Sequence, residues 1–336
     1  MLAKILATDT PQLFQDAVAR AAKLLREGEV VALPTETVYG LAANGFNREA
    51  VARIFKVKRR PENNPIILHV ASLELARCCV ASWPEIADKL ANAFWPGPLT
   101  LVLPQSARVP DVVTAGGNTI GIRWPSHPFI QAVIRECGFP LAAPSANPSN
   151  QLSPTRAEHV QKSLGEQIGL IVDGGPSQVG IESTVLDISV DPPRILRPGM
   201  IHEPALLSVT GRLRQDGATT GPLRSPGQLP KHYSPAARLK VISWQDEAEL
   251  HAKILSMRPQ PSALHIIAHS RIPHKVGFAR VSVIPHDAQA FARAIYAQLH
   301  ACDELGADWI IIEALPETSE WRAIRDRLNR AASATD

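Results

Sequence analysis

Cysteine and aromatic residues are both scarce in this 336-residue chain. The four cysteines form no C-x-x-C pair, which excludes zinc-ribbon and dithiol redox motifs, and adjacent Cys78 and Cys79 are poorly placed to bridge each other. We therefore expect a reduced, cytoplasmic chain. Aromatic residues make up only 5%, so there are few candidates for stacking on nucleic-acid bases.

Long apolar runs and a strong charge imbalance are also missing. No apolar stretch approaches the roughly 20 residues that span a bilayer, so we expect no membrane partner. A net charge of +3 excludes a polybasic coat for nucleic acid but leaves room for a local basic pocket. The common phosphate-binding and hydrolase motifs, including the G-x-x-x-x-G-K-[ST] loop, are absent. A nucleotide site would have to be assembled from Lys, Arg, hydroxyl and backbone N–H groups.

Short apolar runs alternate with helical patterns over most of the chain. Thr10 and Pro11 predict the start of a helix that Gly28 ends, and Asn47 is a candidate cap for a second helix through Val57. This alternation predicts an α/β protein with a twisted mixed sheet over residues 1–212. Residues 213–236 have the composition of a Pro/Gly-rich linker, and residues 237–336 predict a smaller Rossmann-like three-layer α/β domain.

Polar, cationic and glycine-rich segments recur where the predicted strands of the first domain end. The first is a cationic run that contains Lys58 and Arg60, although in isolation such a run is typical of a solvated helix end. The others are Pro34–Gly40, Arg123–Pro125, Ala143–Asn147, Gly180–Val185 and Arg197–Gly199. Several such ends converging in one sheet are what an anion pocket requires.

These segments also carry a resemblance to a known family. PTETVYGL, KxRPxxNP, WPGPLT, the Arg123-x-Pro125 pair, SAN, STV and RPG occur in that order, and the linker contains SPGQLPKHYSP. The chain resembles the YrdC-like superfamily in its two-domain form, L-threonylcarbamoyladenylate synthase. The resemblance covers residues 8–205 and the linker well, and residues 236–333 less specifically.

The resemblance implies a nucleotidyltransferase that converts L-threonine, bicarbonate (or CO2) and ATP into threonylcarbamoyl-AMP and pyrophosphate. The product would supply a downstream tRNA threonylcarbamoyl-transferase machinery. Mg²⁺ is the implied cofactor, held mainly by the ATP phosphates rather than by a protein metal site. The linker is expected to act as a lid over the active site.

The resemblance also assigns roles to individual residues. The residues expected to contact the nucleotide are Lys58, Arg60, Asn64, Thr119, Ser145, Asn147, Ser153, Arg197 and Tyr233, of which Lys58 and Arg60 are the expected catalytic residues. Those expected to contact L-threonine and its carbamate are Thr37, His69, Arg123, Ala143 and Ser183. Thr35 and Tyr39 are secondary candidates, and no residue stands out as a general base.

Other interpretations stay open at this stage. The chain could carry out the related carbamoyl-adenylate chemistry of hydrogenase maturation, bind RNA without catalysis, or bind nucleotide in a purely regulatory role. A metal site at His265 and His269 is disfavoured against surface or domain-interface histidines. Arg322, Arg325, Arg327 and Arg330 predict a basic last helix with a solvated face.

Overall fold

A computed structural model describes residues 2–214, 233–257, 263–274 and 277–332. These residues form two compact units. The large unit comprises residues 2–149 and 153–214, and the small unit comprises residues 150–152 together with the described residues from 233 onward. Most of the linker predicted at 213–236 lies outside the described residues, so the predicted domain boundaries and the lid stay predictions.

The large unit contains ten strands and eight helices within the described residues. The strands are β1 (Lys4–Ala7), β2 (Val31–Leu33), β3 (Gly40–Asn44), β4 (Leu68–His69), β5 (Leu99–Pro104), β6 (Thr119–Arg123), β7 (Leu141–Ala142), β8 (Leu170–Asp173), β9 (Thr184–Asp187) and β10 (Arg194–Arg197). The helices are α1 (Pro11–Arg26), α2 (Arg48–Lys58), α3 (Leu73–Cys78), α4 (Glu85–Phe94), α5 (Asp111–Thr114), α6 (Pro128–Cys137), α7 (Ala157–Leu164) and α8 (Glu203–Thr210).

The ten strands form one mixed sheet in the order β1-β8-β2-β3-β7-β4-β6-β5-β9-β10. Parallel pairs such as β4 with β6 stand beside antiparallel pairs such as β5 with β6, which confirms the predicted mixed α/β fold. Alternate residues of β2 enter different cores: Val31 and Leu33 pack in one apolar cluster and Ala32 in the other. The sheet is therefore covered on both faces, which explains why its strands are almost continuously apolar.

Local signals in the sequence position the first two helices. The Thr10 hydroxyl accepts a hydrogen bond from the Leu13 N–H at 3.3 Å, and α1 ends before Gly28, whose φ is +80°. The Asn47 side chain caps α2 by accepting from the N–H groups of residues 49 and 50. Both predicted starts are confirmed, and α2 extends one residue beyond the prediction, to Lys58.

The small unit contains a four-stranded parallel sheet in the order β11-β14-β12-β13. Its strands are β11 (Arg238–Ile242), β12 (Leu264–Ala268), β13 (Arg280–Val283) and β14 (Trp309–Glu313), and its helices are α9 (Glu247–Met257), α10 (Ala288–Glu304) and α11 (Arg322–Ala332), the last preceded by a 3-10 turn at Ser319–Trp321. Parallel strands joined by helices confirm the predicted Rossmann-like architecture.

Two details of the small unit differ from the sequence expectations. His265 and His269 are both buried, so they are not surface histidines. Arg327 is 1% exposed, so α11 does not present all of its arginines to solvent. The helical stripe of α11 puts Ile324, Arg327 and Leu328 on its buried side, and periodicity alone cannot tell an arginine with a buried partner from a solvated one.

No helix in the described part of the chain has the length and apolarity needed to cross a membrane.

Candidate active site

Register places several of the predicted site residues in one row across the large sheet. His69 of β4 pairs with Arg123 of β6, and Arg123 pairs with Thr100 of β5. Thr100 pairs with Val185 of β9, which in turn faces Arg197 of β10. Directly paired residues project from the same face of a sheet. The row therefore brings an imidazole, two guanidinium groups and a hydroxyl to one face.

Arg123 is the centre of this row and is 4% exposed. Its Nη1 donates to the Thr37 hydroxyl at 2.9 Å, and its Nη2 lies 2.7 Å from the Glu36 carboxylate. Burial and the positive charge of Arg123 hold the pKa of neighbouring His69 well below its usual value. His69 is therefore neutral near pH 7, so one of its ring nitrogens is a hydrogen-bond donor and the other is an acceptor.

The turn after β2 presents Glu36 and Thr37 to Arg123. Thr35 organises this turn, because its hydroxyl donates to the Val38 carbonyl at 2.6 Å and accepts from the backbone N–H of Thr37. Farther along, the Tyr39 hydroxyl donates to the Gly175 carbonyl at 2.8 Å, and burial and Asp173 raise the Tyr39 pKa. Thr35 and Tyr39 thus have structural contacts that shape the turn.

Ser183 links the threonine set to the nucleotide set of predicted residues. Its hydroxyl lies 2.8 Å from the Thr100 hydroxyl and accepts a hydrogen bond from Arg197 Nη2 at 3.1 Å. Arg197 Nε donates to the Ser183 carbonyl at 3.0 Å. The Arg197 guanidinium is thereby held against the sheet in a fixed orientation, as recognition of a phosphate oxygen requires.

Lys58 ends α2 with its side chain directed into the protein. Its ammonium group donates to the carbonyl oxygens of Ser145 and Asn147, the first at 2.5 Å. Burial and the nearby Arg60 charge hold the Lys58 pKa well below its usual value. In its ammonium form Lys58 has three donors, so one remains for a ligand after these two bonds within the described residues. The contact unites three predicted nucleotide residues, although it is the backbone of Ser145 and Asn147 that Lys58 contacts.

The other predicted nucleotide residues form two further buried pairs. Arg60 donates to the Asn64 side-chain oxygen at 2.6 Å and to the Pro65 carbonyl at 2.7 Å. The Ser153 hydroxyl donates to Glu182 at 2.6 Å. Both pairs place a polar side chain in the interior of the large unit, where it needs a hydrogen-bonding partner.

Two further predicted site residues are Thr119, the first residue of β6, and Ala143, which directly follows β7. Thr119 begins β6 and shares a face with Gly121 and Arg123, because side chains alternate along a strand. A Cβ at Gly121 would lie 3.2 Å from both Ile67 and Thr100. Glycine therefore leaves space on the sheet face between Thr119 and Arg123. Ala143 follows β7, and its N–H donates to the Ile67 carbonyl at 3.2 Å.

Tyr233 belongs to the small unit, where it is buried. Its ring lies 6.1 Å from that of Tyr296 and 5.3 Å from the Arg327 guanidinium carbon. These contacts make Tyr233 a packing residue of the small unit. Its predicted contact with the nucleotide stays a prediction.

Sequence reasoning missed three polar residues of this site: Glu36, Thr100 and Glu182. Glu36 and Thr100 lie inside motifs that the sequence did show, PTETVYGL and WPGPLT. In an extended strand, Glu36 and Thr37 would point to opposite faces. Because the segment is a turn, both contact Arg123.

The described residues contain no group of three or more His, Cys, Asp or Glu side chains placed to hold a metal ion.

Two family models together match most of the chain. The model described as "Telomere recombination", which groups Sua5, YciO and YrdC sequences, matches residues 23–199. The model described as "Threonylcarbamoyl-AMP synthase, C-terminal domain" matches residues 199–333. A threonylcarbamoyl-AMP synthase of Bacillus subtilis is 40% identical over 97% of this chain and 94% of its own length. One of Pyrococcus abyssi is 37% identical over 93% of each chain.

The chain belongs to the two-domain Sua5 family of threonylcarbamoyl-AMP synthases.

Solved structures agree with this assignment. The crystal structure of P. abyssi Sua5 complexed with L-threonine superposes with a TM-score of 0.89 at 34% identity, over 99% of this chain and 98% of that one. The resemblance seen in the sequence is confirmed, and so is the function it implied. This family member is an enzyme, a nucleotidyltransferase-type synthase of threonylcarbamoyl-AMP that acts in tRNA modification.

Proposed function

We propose that the large unit holds L-threonine beside ATP, so that the carbamate formed from threonine and CO2 (or bicarbonate) attacks the α-phosphate and pyrophosphate leaves. The observation that carries this proposal is the row from His69 through Arg123 and Thr100 to Arg197. An imidazole, two guanidinium groups and a hydroxyl on one sheet face support the binding of two anions side by side. Holding two reactants together supplies much of the rate in such a displacement.

The threonine half of the site is centred on Arg123. Its guanidinium would bind the threonine carboxylate, because a planar fork matches a carboxylate in two parallel hydrogen bonds. Thr37 and Ser183 would contact the polar atoms of the amino acid. His69 and Ala143 would complete the lining of the threonine site. Binding of L-threonine by a relative of the same fold supports this assignment.

The nucleotide half comprises the remaining predicted residues. Lys58 and Arg60 would neutralise the charge that develops on the phosphates, and Arg197 would approach from the Ser183 side. The residues proposed to complete the contacts to ATP are Asn64, Thr119, Ser145, Asn147, Ser153 and Tyr233. Fixed donors aimed at developing charge lower the barrier without reorganisation.

Mg²⁺ would accompany ATP and be held mainly by phosphate oxygens. The described residues offer cations and hydroxyls rather than a cluster of carboxylates, which fits a metal that arrives with its nucleotide. When bound, Mg²⁺ would neutralise part of the charge on the phosphates.

The free cysteines and the reactivity of the product suggest where the protein acts and what consumes its product. All four cysteines are free, which suits a reducing compartment such as the cytoplasm. Threonylcarbamoyl-AMP is a reactive mixed anhydride, so a downstream tRNA threonylcarbamoyl-transferase machinery would consume it. We propose no strong direct binding of RNA by this chain.

Pyrophosphate release from ATP and Mg²⁺ tests the proposal when L-threonine and bicarbonate are omitted in turn. We expect release only when both are present. Release that needs carbamoyl phosphate instead would assign the chain to carbamoyl-adenylate chemistry. ATP binding without release under any combination would favour a regulatory role.

The same assay tests Tyr233. Tyr233→Phe keeps the ring that packs on Tyr296 and removes only the hydroxyl. We expect a higher KM for ATP with little change in thermal stability. Unchanged ATP binding and turnover would remove Tyr233 from the nucleotide site.

A further inference from the structure

We propose that Glu36 binds the ammonium group of L-threonine and accepts a proton from it, so that the free amine can attack CO2. This inference rests on the proposed function, since it concerns the same threonine site. It assigns the general base that the sequence left without a candidate.

The geometry of Glu36 is unusual for a buried carboxylate. Its side chain is 6% exposed and lies 2.7 Å from Arg123 Nη2. Neither carboxylate oxygen accepts a hydrogen bond within the described residues. The Nε and Nη2 atoms of Arg123 likewise make no hydrogen bond there. Buried polar groups are normally hydrogen-bonded. Both Glu36 and Arg123 therefore keep atoms that can form hydrogen bonds with a ligand.

The backbone holds the Glu36 turn in place. The Glu36 carbonyl accepts from the Val179 N–H at 2.7 Å, and the Thr37 carbonyl accepts from the Gly180 N–H at 3.1 Å. The Ser177 hydroxyl donates to the Thr35 carbonyl at 3.0 Å. These hydrogen bonds fix the backbone that carries the Glu36 carboxylate. A group that reacts with a substrate atom needs such a fixed position.

The charges around Glu36 complement an amino-acid zwitterion. Arg123 faces Glu36 from β6, and His127 faces it from the segment that follows β6. Burial holds the His127 pKa below its usual value despite the attraction of Glu36, and His69 beside Arg123 is shifted the same way. Both histidines are neutral near pH 7. The pair is therefore one cation and one anion, which match the carboxylate and the ammonium of threonine.

Proton transfer to Glu36 converts the ammonium group of threonine into a free amine. One N–H proton of the ammonium moves to a Glu36 oxygen, and the nitrogen keeps the electron pair. That pair forms a C–N bond to CO2, while one C=O π pair moves onto oxygen. The nitrogen then loses its second proton to solvent, and the product is the carbamate anion. Glu36 returns its proton to solvent before the next turnover.

A purely structural role for Glu36 makes a different prediction. If Glu36 only held Arg123 in place, its loss would raise the KM for threonine without changing how the rate depends on pH. If Glu36 is the base, a variant without the carboxylate depends on amine that has already lost its proton in solution.

The test compares wild type, Glu36→Gln and Glu36→Asp by pyrophosphate release between pH 6.5 and 9.5, with saturating ATP and a fixed CO2 concentration. Glu85→Gln is the matched control, because Glu85 is an exposed residue of α4 that pairs with Lys89. ATP binding is measured for each protein to show that its site is folded.

We expect Glu36→Gln to lose about 100-fold in kcat at pH 7.5, within the range typical of general base catalysis. Below the pKa of the threonine amine, its rate should then rise about tenfold per pH unit, because the fraction of free amine rises by that factor. Wild type and Glu85→Gln should show no such rise, and Glu36→Asp should be slower than wild type but keep its pH profile.

Each outcome is decisive. An active wild type together with a Glu36→Gln profile parallel to it would overturn the inference and leave the proposed function intact. Should Glu36→Gln fail to bind ATP, the Glu36→Asp profile decides, because a tenfold rise per pH unit in that variant would also overturn the inference. An inactive wild type would instead contradict the proposed function.

Discussion

The two units each bury a glutamate with histidines near the ends of their strands, but the two glutamates differ in their surroundings. In the small unit, Glu313 ends β14 and accepts hydrogen bonds from the backbone N–H groups of residues 269, 270 and 271 and from the Ser270 hydroxyl. In the large unit, Glu36 accepts none within the described residues. A carboxylate that accepts hydrogen bonds from its own loop stabilises that loop, whereas a carboxylate without such donors can bind a substrate.

The histidines follow the same division. In the small unit, His269 Nδ1 lies 2.6 Å from His286 Nδ1, its Nε2 lies 3.1 Å from the Ala314 carbonyl, and its ring packs on Trp321. In the large unit, His69 lies beside Arg123 in the row across the sheet, and its Nδ1 makes no hydrogen bond within the described residues. Burial by itself therefore does not mark a site. The hydrogen-bonding capacity that remains after folding distinguishes the two clusters.

The largest effect is expected from Arg123→Lys in the large unit. Lysine keeps the charge but offers a compact ammonium in place of the planar fork, and it cannot reach both Glu36 and Thr37 in the same geometry. We expect kcat/KM for L-threonine to fall about 1000-fold, equivalent to roughly 4 kcal/mol. Steady-state pyrophosphate release measures this, with ATP affinity as the control. A fall of less than threefold would show that Arg123 does not bind threonine.

Glu313→Ala should produce a large effect of the opposite kind. It removes the acceptor of three backbone N–H groups, of which only that of His269 is buried, and of the Ser270 hydroxyl. We expect the small unit to lose about 3 kcal/mol of stability. Hydrogen exchange of β12 and β14, followed by mass spectrometry, measures that loss locally. The exposed Glu320→Gln is the control. Glu313→Ala should leave kcat/KM for threonine unchanged, and a parallel loss of both quantities would mean that Glu313 also serves the reaction.

His69 gives the large unit a pH dependence of stability. Its folded pKa lies below the unfolded value of about 6.5, so the unfolded chain binds more protons between those two values. Stability therefore falls as the pH drops below about 6.5, by at most ~1.4 kcal/mol per pH unit. Urea unfolding, monitored by hydrogen exchange of the β4 and β6 amides at a series of pH values, would measure this slope. His69→Gln should flatten it, and an unchanged slope would assign the effect to another group.

Thr100→Val should have the smallest effect. It removes the 2.8 Å contact between the Thr100 and Ser183 hydroxyls and keeps the shape of the side chain. Arg197 still donates to Ser183, so we expect a loss of about 1 kcal/mol in stability and no more than a threefold rise in the KM for threonine. Ser183→Ala is the companion variant. If Thr100→Val abolished turnover, the Thr100 hydroxyl would have to contact substrate itself.

The sequence predicted the fold class well because its signals were local. Asn47 capped α2, Gly28 followed α1, and alternation of short apolar runs with helices predicted the mixed sheet. Motif order then predicted the family. The pairing of His69 with Arg123 and of Thr100 with Val185 could not be predicted, because strand order depends on contacts between distant segments.

Side-chain environments were the least predictable part. Nothing in a sequence states that Lys58 would be directed inward onto two carbonyls while Lys56, two residues earlier, stays exposed. Likewise, Arg327 was one of four arginines in a basic helix until packing on Tyr233 set it apart. These outcomes depend on which neighbours fill the space around a residue.

The central claim is that this chain joins threonine, CO2 and the α-phosphate of ATP in one product. It is tested most directly by NMR of the enzyme turning over [¹⁵N]threonine, [¹³C]bicarbonate and ATP with Mg²⁺. We predict a new ¹³C resonance coupled both to ¹⁵N and, through one oxygen, to the ³¹P of AMP. A ¹³C label that never couples to ¹⁵N while pyrophosphate accumulates would contradict the account.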